Sequence, residues 1–301
     1  MVTKNRLRKV GIGLGAATLL LVLLTLASAR LVTGRWLGVR SLARIVVNTA
    51  QAVNDHRTVA NYKQGNFTDI IFLHHSTGNN LIEQGEVRER FTQAGYSFWD
   101  HGYNYQGLRD PAGKYRGYSY SVPDDNTDPD GLVRIISQQA YGLPVNTLSG
   151  LLQHEVIAFK SCFDPANHIK TEQQLETYKD WYLGMRKVMD RYPNKIFIVV
   201  TDPPLNPAET NSQEAARARA FADWLKSDAY LKGHPNVLTF DLFGNLAESD
   251  PASLDYNMLR KDYRDGSDSH PNRIANETIG PLFADFVIQA IQNYRATSAS
   301  R

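Results

Sequence analysis

The stretch IIFLHHSTG, residues 70–78, joins a continuous apolar run to a polar turn. A short apolar run that ends in turn residues is typical of a strand buried on both faces of a sheet. We predict a strand over residues 69–73, then a turn, and then a helix over about residues 81–94. Such a strand belongs to a parallel sheet, in which helical crossovers cover both faces.

Four further apolar runs alternate with helical patterns along the chain. The runs lie at 97–101, 155–160, 195–201 and 237–241, and the helical patterns at about 132–141, 171–192, 211–226 and 274–294. Thr171 can cap the second of these helices, and Asn211 or Ser212 can begin the third. The alternation predicts a five-stranded parallel sheet with right-handed crossovers, which is a three-layer α/β/α sandwich.

Composition excludes several classes of function. The 301 residues carry a net charge of +2, so no strong field favours a nucleic-acid partner. Cys162 is the single cysteine, which excludes an intrachain disulfide and a cysteine metal cluster. We expect no nucleic-acid partner, no metal and no cofactor.

The first residues form a basic cluster followed by an uncharged run at 10–29. A helix of that length crosses a hydrocarbon core of about 30 Å. We predict that residues 1–29 are an uncleaved signal anchor; the alternative is a signal peptide cleaved after Ala29. Residues 30–65 then form an amphipathic stalk, and 66–296 the main domain. The domain is expected to be membrane-anchored and extracytoplasmic, or secreted after cleavage.

Ser76 follows the first predicted strand and precedes a helix. Its hydroxyl then lies at the carboxyl edge of the sheet, where sites of parallel sheets form. Backbone N–H groups of the turn can face an anion there. Ser76 is therefore a candidate nucleophile, and the alternative is that Ser76 or Thr77 only caps the helix.

A second polar cluster, DGSDSHPN at residues 265–272, stands just before the last predicted helix. His270 can serve as a general base, and an acidic side chain near it can orient the imidazole. Asp268 and Asp265 are both candidates for that acid. The alternative is an exposed polar turn.

Together these two blocks resemble the SGNH hydrolase superfamily, the GDSL-like esterases. His74-His75-Ser76 stands where that family has Gly-Asp-Ser, and Ser269-His270-Pro271-Asn272 resembles its final block. The resemblance covers about residues 66–294. It implies a flavodoxin-like α/β/α fold, a serine nucleophile at Ser76 and a catalytic histidine at His270.

The resemblance also implies an oxyanion hole. The backbone at Ser76 supplies one donor, and Gly107 fits the glycine of the second block best, with Gly102 as the second choice. The family has an asparagine directly after the third strand, where this sequence reads KSCFDPAN at residues 160–167. Asn167 then takes over that donor role from further downstream, or a backbone N–H near Cys162 does so.

The position of the acid departs from the family pattern. Family members have aspartate three residues before the histidine, and Ser267 occupies that place here. We favour Asp268 over Asp265 as the acid. A Ser76–His270 dyad oriented by a backbone carbonyl is the alternative.

Three further features have simpler interpretations. Residues 126–131 resemble the start of a calcium loop, but Ser137 stands where a bidentate glutamate is needed. Cys162 is best interpreted as a packed residue. His74 and His75 lack an evident third metal ligand. The tyrosines of the long loop after the second strand either stack against a sugar or anchor the loop.

These features predict an extracytoplasmic serine esterase that removes acyl groups, acetyl above all, from a carbohydrate or cell-envelope polymer. The membrane is a partner only through the N-terminal helix. Two alternatives stay open. One is an envelope polysaccharide O-acyltransferase on the same fold, and the other is a non-catalytic binding module.

Overall fold

The computed structural model describes residues 65–122, 129–161 and 167–299, together with 20, 22–28, 30, 38, 43, 46–51 and 53–55. The chain divides into two compact units, Met1–Ala50 and Gln51–Arg301, and all that follows concerns the second. None of the helices in the described part is long and apolar enough to span a membrane. The predicted anchor at 1–29 falls mostly outside the described residues.

Five of the six strands of the sheet are parallel. They are β1 (Asp69–Leu73), β2 (Ser97–His101), β4 (Val156–Lys160), β5 (Ile196–Val200) and β6 (Val237–Phe240). With β3 (Leu108–Arg109), the spatial order of the whole sheet is β3-β2-β1-β4-β5-β6. Numbered among the parallel strands alone, this order is 2-1-3-4-5, the flavodoxin-like order. Its switch point lies between β1 and β4, which is where such sheets bind ligands.

The sheet has six strands and is mixed, so the prediction of five parallel strands was incomplete. The added strand, β3 (Leu108–Arg109), runs antiparallel to β2 at the edge. Leu108 donates its N–H to the carbonyl of Tyr118 and accepts from the N–H of Arg116, at 3.0 and 2.9 Å. Two residues are too few to show a periodic pattern, so this strand could not be distinguished from the loop around it in the sequence.

Helices cover both faces of the sheet. Their bounds are α1 Ser76–Gln84, α2 Val87–Gln93, α3 Pro129–Ile136, α4 Thr147–Leu151, α5 Glu172–Met189, α6 Ser212–Lys226, α7 Asp228–Leu231, α8 Leu242–Leu246 and α9 Arg273–Ala299. The caps at Thr171 and Asn211 are confirmed, since both side chains accept N–H bonds from the first turn of their helix.

The single helix predicted at 81–94 was wrong. The chain forms two helices there, α1 and α2, and α1 begins five residues earlier, at Ser76. Gly85 ends the first helix, and Glu86 adopts a left-handed conformation with φ of 54° before the second. A single non-glycine residue in this conformation leaves no clear sequence signal.

The two faces of the sheet form separate apolar cores. Ile70 and Phe72 of β1 pack in one core with Phe283 of α9, and Ile71 and Leu73 pack in the other with Leu132 of α3. Successive side chains of a strand point to opposite faces, so a fully apolar β1 has helices on both sides. The predicted three-layer architecture is thereby confirmed.

Helices α1 and α9 meet on one of these faces through a pair of glycines. A Cβ on Gly85 would stand 2.7 Å from the Cα of Gly280, and a Cβ on Gly280 would stand 2.5 Å from the Cα of Gly85. Only glycine at both positions lets the two backbones approach this closely.

Candidate active site

Ser76 lies at the carboxyl edge of the sheet, three residues after the end of β1. His75 is extended, with φ of −128° and ψ of −152°, and Ser76 is the first residue of α1. The N-cap residue is His75, and its side chain makes no capping bond. The interpretation of Ser76 or Thr77 as the capping residue was therefore wrong. The first N–H groups of a helix lack partners within the helix and carry partial positive charge, which suits an oxyanion.

The structure brings Ser76, His270 and Asp268 together in one hydrogen-bonded line. His270 Nε2 lies 2.8 Å from Ser76 Oγ, and His270 Nδ1 lies 2.8 Å from Asp268 Oδ1. A carboxylate only accepts, so Nδ1 carries the proton and Nε2 can accept one from the serine hydroxyl. This is the arrangement that a serine nucleophile and its base require.

Asp268 and not Asp265 contacts the histidine. Asp265 Oδ1 instead accepts a long bond of 3.4 Å from Asn272 Nδ2. Burial acts to raise the pKa of Asp268, but hydrogen bonds from the His270 side chain, the His270 N–H and the Ser269 N–H outweigh it and lower that pKa. Asp268 therefore remains a carboxylate that can orient the imidazole.

A residue that sequence reasoning missed holds this loop in place. The Asn206 side-chain amide donates to the carbonyls of Gly266 and Asp268, at 3.1 and 3.0 Å. The Asn206 N–H donates to Ser269 Oγ at 2.8 Å, and Ser269 in turn donates to Glu209. Asn206 lies between β5 and α6, far from the blocks in sequence, so no motif could reveal it.

His74, two residues before Ser76, lies fully buried between two acceptors. Its Nδ1 is 2.9 Å from the His75 carbonyl and its Nε2 is 3.1 Å from Asp100 Oδ2. Both partners are hydrogen-bond acceptors. Arg88 also donates to Asp100. Burial acts to raise the pKa of Asp100, but the hydrogen bonds and charges of His74 and Arg88 outweigh it and lower that pKa.

This network leaves neither ring nitrogen of His74 available to a metal. Among the residues that the structure describes, no group of three or more His, Cys, Asp or Glu side chains could hold a metal ion. The turn at 126–128 and Cys162 lie outside the described residues.

The expected oxyanion donor Gly107 is contradicted by the structure. Its N–H donates to the carbonyl of Tyr103 at 2.8 Å, so it is not available to a substrate oxygen. With φ of +61° and no room for a Cβ beside Tyr118, Gly107 is a turn glycine. The second choice, Gly102, directly follows β2 and lies against the His74 ring.

Asn167, the other expected donor, is buried. Its side-chain amide donates to the carbonyl of Pro203, which follows β5. One of its two amide protons is therefore committed to holding that segment. Its part in an oxyanion hole stays a prediction, as does the part of the Ser76 backbone.

His101 at the end of β2 differs from His74 in its partners. The N–H of Tyr120 donates to His101 Nε2 at 3.1 Å, so that nitrogen is an acceptor and the ring is neutral. Burial, and then the charge of His74, lower the pKa of His101 from 6.5 to about 4. The unfolded chain consequently binds this proton at a higher pH than the folded chain does.

We therefore expect acid to destabilise the protein through His101. Stability contributed by a lowered histidine pKa is present above the unfolded value of 6.5 and is lost as the pH falls towards 4. Relative to His101→Gln, the wild type should lose about 3 kcal/mol of unfolding free energy between pH 7 and pH 4. Urea unfolding of both proteins at several pH values measures this, and parallel curves would contradict it.

The comparisons with known proteins find similarity to solved structures only. No family model matches the chain, and no curated protein matches it. A GDSL-like lipase from Bacteroides thetaiotaomicron is 8% identical with a TM-score of 0.44, over 81% of this chain and 98% of that one. A provisionally named acylhydrolase from Bacteroides fragilis is 10% identical with a TM-score of 0.46, over 76% and 88%.

Proposed function

We propose that this protein is a serine hydrolase that cleaves carboxylic esters by an SGNH-type mechanism. One observation carries the proposal: His270 Nε2 lies 2.8 Å from Ser76 Oγ, although 194 positions separate the two residues. Asp268 Oδ1 also lies 2.8 Å from the other ring nitrogen of His270. A chance contact between a serine and a histidine would not include this carboxylate. Nucleophile, base and orienting acid are thus in reach of one another.

In the proposed reaction, Ser76 Oγ attacks the ester carbonyl while His270 Nε2 takes its proton. The negative oxygen that forms is stabilised by N–H groups at the start of α1. His270 then gives the proton to the leaving alcohol, which departs and leaves an acyl-serine. Water, activated by His270, attacks the acyl group and releases a carboxylic acid and free Ser76.

The openness of the site supports a polymer-bound acyl group as the substrate. The side chains of His270 and Asp268 are 33% and 64% exposed, so the reacting centre is reached from solvent directly. We propose acetyl esters of a carbohydrate or cell-envelope polymer. The uncharged run at 10–29 supports a membrane-anchored, extracytoplasmic location, or secretion after cleavage at Ala29.

A fluorophosphonate probe tests the proposed nucleophile. We expect one adduct per chain, mapped by peptide mass spectrometry to Ser76, because the probe reacts with serine hydroxyls activated by a base. His270→Ala should slow labelling by about 10³-fold or more. Ser137→Ala, which removes an exposed serine outside the triad, should label like the wild type. Equal labelling of Ser76→Ala and wild type would overturn the proposal.

A further inference from the structure

Three aromatic rings extend from the neighbour of Ser76 towards solvent. The rings of His75 and Tyr103 have centroids 4.2 Å apart, and those of Tyr103 and Tyr105 lie 5.5 Å apart with planes at 11°. His75 is buried and Tyr103 half-buried, whereas Tyr105 is 74% exposed. Because His75 is bonded to Ser76, this row begins beside the proposed nucleophile.

The loop that carries the two tyrosines is fixed by internal hydrogen bonds. The Tyr103 carbonyl accepts from the N–H groups of Gln106 and Gly107, at 2.9 and 2.8 Å. The Asn104 side-chain amide donates to the carbonyl of Val122 at 2.8 Å. The exposed ring of Tyr105 is therefore presented on an ordered turn, and a ligand need not order it on binding.

The surface that the pair presents has a flat apolar face and a polar edge. Tyr103 stacks on one face of the Tyr105 ring, and Tyr105 is 74% exposed, so the other face is open to solvent. The Tyr105 hydroxyl accepts a long bond of 3.4 Å from Gln106 Nε2. The negative face of an aromatic ring attracts the partly positive C–H bonds on the flat side of a pyranose ring. The phenol and amide groups at the edge can bond sugar hydroxyls.

Other ligand classes fit this surface less well. An acyl tail requires an enclosed apolar pocket, and the centre beside this row is open to solvent. A quaternary ammonium group is held by several rings around it, whereas parallel rings offer one outer face. The geometry thus favours a sugar ring.

We propose that Tyr103 and Tyr105 form a subsite that binds a pyranose ring of the substrate, so that the ester cleaved at Ser76 is carried by a glycan. This inference rests on the proposed hydrolase function. In it, Tyr105 stacks on the sugar and Tyr103 supports Tyr105 from behind. The subsite contributes to binding the glycan and takes no part in bond cleavage.

The test compares two substrates, O-acetylated xylohexaose and p-nitrophenyl acetate. For Tyr105→Ala we expect KM for the oligosaccharide to rise about tenfold, the effect of about 1.4 kcal/mol of lost binding. The rate on p-nitrophenyl acetate should stay within about twofold, because that ester carries no sugar ring for Tyr105 to bind. Tyr105→Trp should retain wild-type KM, and Tyr256→Ala, which removes an exposed tyrosine elsewhere, serves as the control.

Binding to the inactive variant separates this inference from the hydrolase proposal. Ser76→Ala should bind acetylated xylohexaose in calorimetry, and Ser76→Ala/Tyr105→Ala should bind it about tenfold more weakly. Equal binding by both, or none by either, would overturn the subsite. A fall in activity on both substrates for Tyr105→Ala would also overturn it, since the residue would then only support the fold. Absence of hydrolysis with retained Tyr105-dependent binding would refute the hydrolase alone.

Discussion

Ser76→Ala is expected to lower kcat on p-nitrophenyl acetate by roughly 10⁴–10⁶-fold. Loss of the attacking oxygen leaves only the oxyanion donors and substrate binding, which preserve a small residual acceleration over water. Steady-state rates of the purified full-length protein measure the effect. KM should change far less than kcat, because the serine hydroxyl acts in the transition state.

The stability of the same variant distinguishes catalysis from folding. Ser76 is the first residue of α1 and its side chain does not cap the helix, so the midpoint of thermal unfolding should hardly change. Ser137→Ala provides the matched serine-to-alanine control and should retain full activity. A Ser76→Ala protein that folds normally and still turns over at the wild-type rate would refute the mechanism.

Asp268→Asn is expected to lower kcat by about 10²–10⁴-fold. The amide can present its N–H to His270 Nδ1, which favours the tautomer that cannot accept the serine proton, and it removes the negative charge that stabilises the imidazolium. Because the Asp268 side chain is 64% exposed, water can replace part of that stabilisation. We therefore expect the loss of kcat to lie nearer to about 10²-fold than to about 10⁴-fold.

Asp265→Asn is the matched control for this prediction. It removes the same charge three residues earlier in the same loop, but the Asp265 side chain bonds Asn272 and not His270, so kcat should stay within about threefold. Equal losses in both variants would indicate a general effect of loop charge. Wild-type activity in Asp268→Asn would indicate a Ser76–His270 dyad.

The main architecture could be predicted because buried parallel strands leave a strong signal. The run at 70–73 is apolar throughout, since helices cover both faces of β1. Ser76 could then be identified as a candidate because it lies at the strand-to-helix turn after β1. His270 could be identified because it lies in the polar loop before the last predicted helix. The choice of Asp268 over Asp265 agrees with the observed contact to His270.

The features that could not be predicted leave no motif in the sequence. Strand β3 is held by Tyr118 and Arg116 of its own loop. Gly85 ends the first helix, and Glu86 takes the left-handed conformation before the second, which is uncommon for a residue other than glycine. Gly107 fitted the oxyanion role by position, but its N–H bonds Tyr103. Asn206 was missed because its partners are carbonyls 60 and 62 positions away.

The glycine contact between α1 and α9 has a consequence for the order in which contacts form during folding. It pairs the first helix of the domain with the last, and Asn276 of α9 adds a bond of 2.9 Å to Gln84 of α1. Contacts between such distant segments form late, since closing a long loop costs entropy before any contact repays it. His270 lies three residues before α9, so the docking of α9 on α1 also brings this histidine to Ser76. The hydrogen-bonded line of Ser76, His270 and Asp268 is therefore complete only after this late contact has formed.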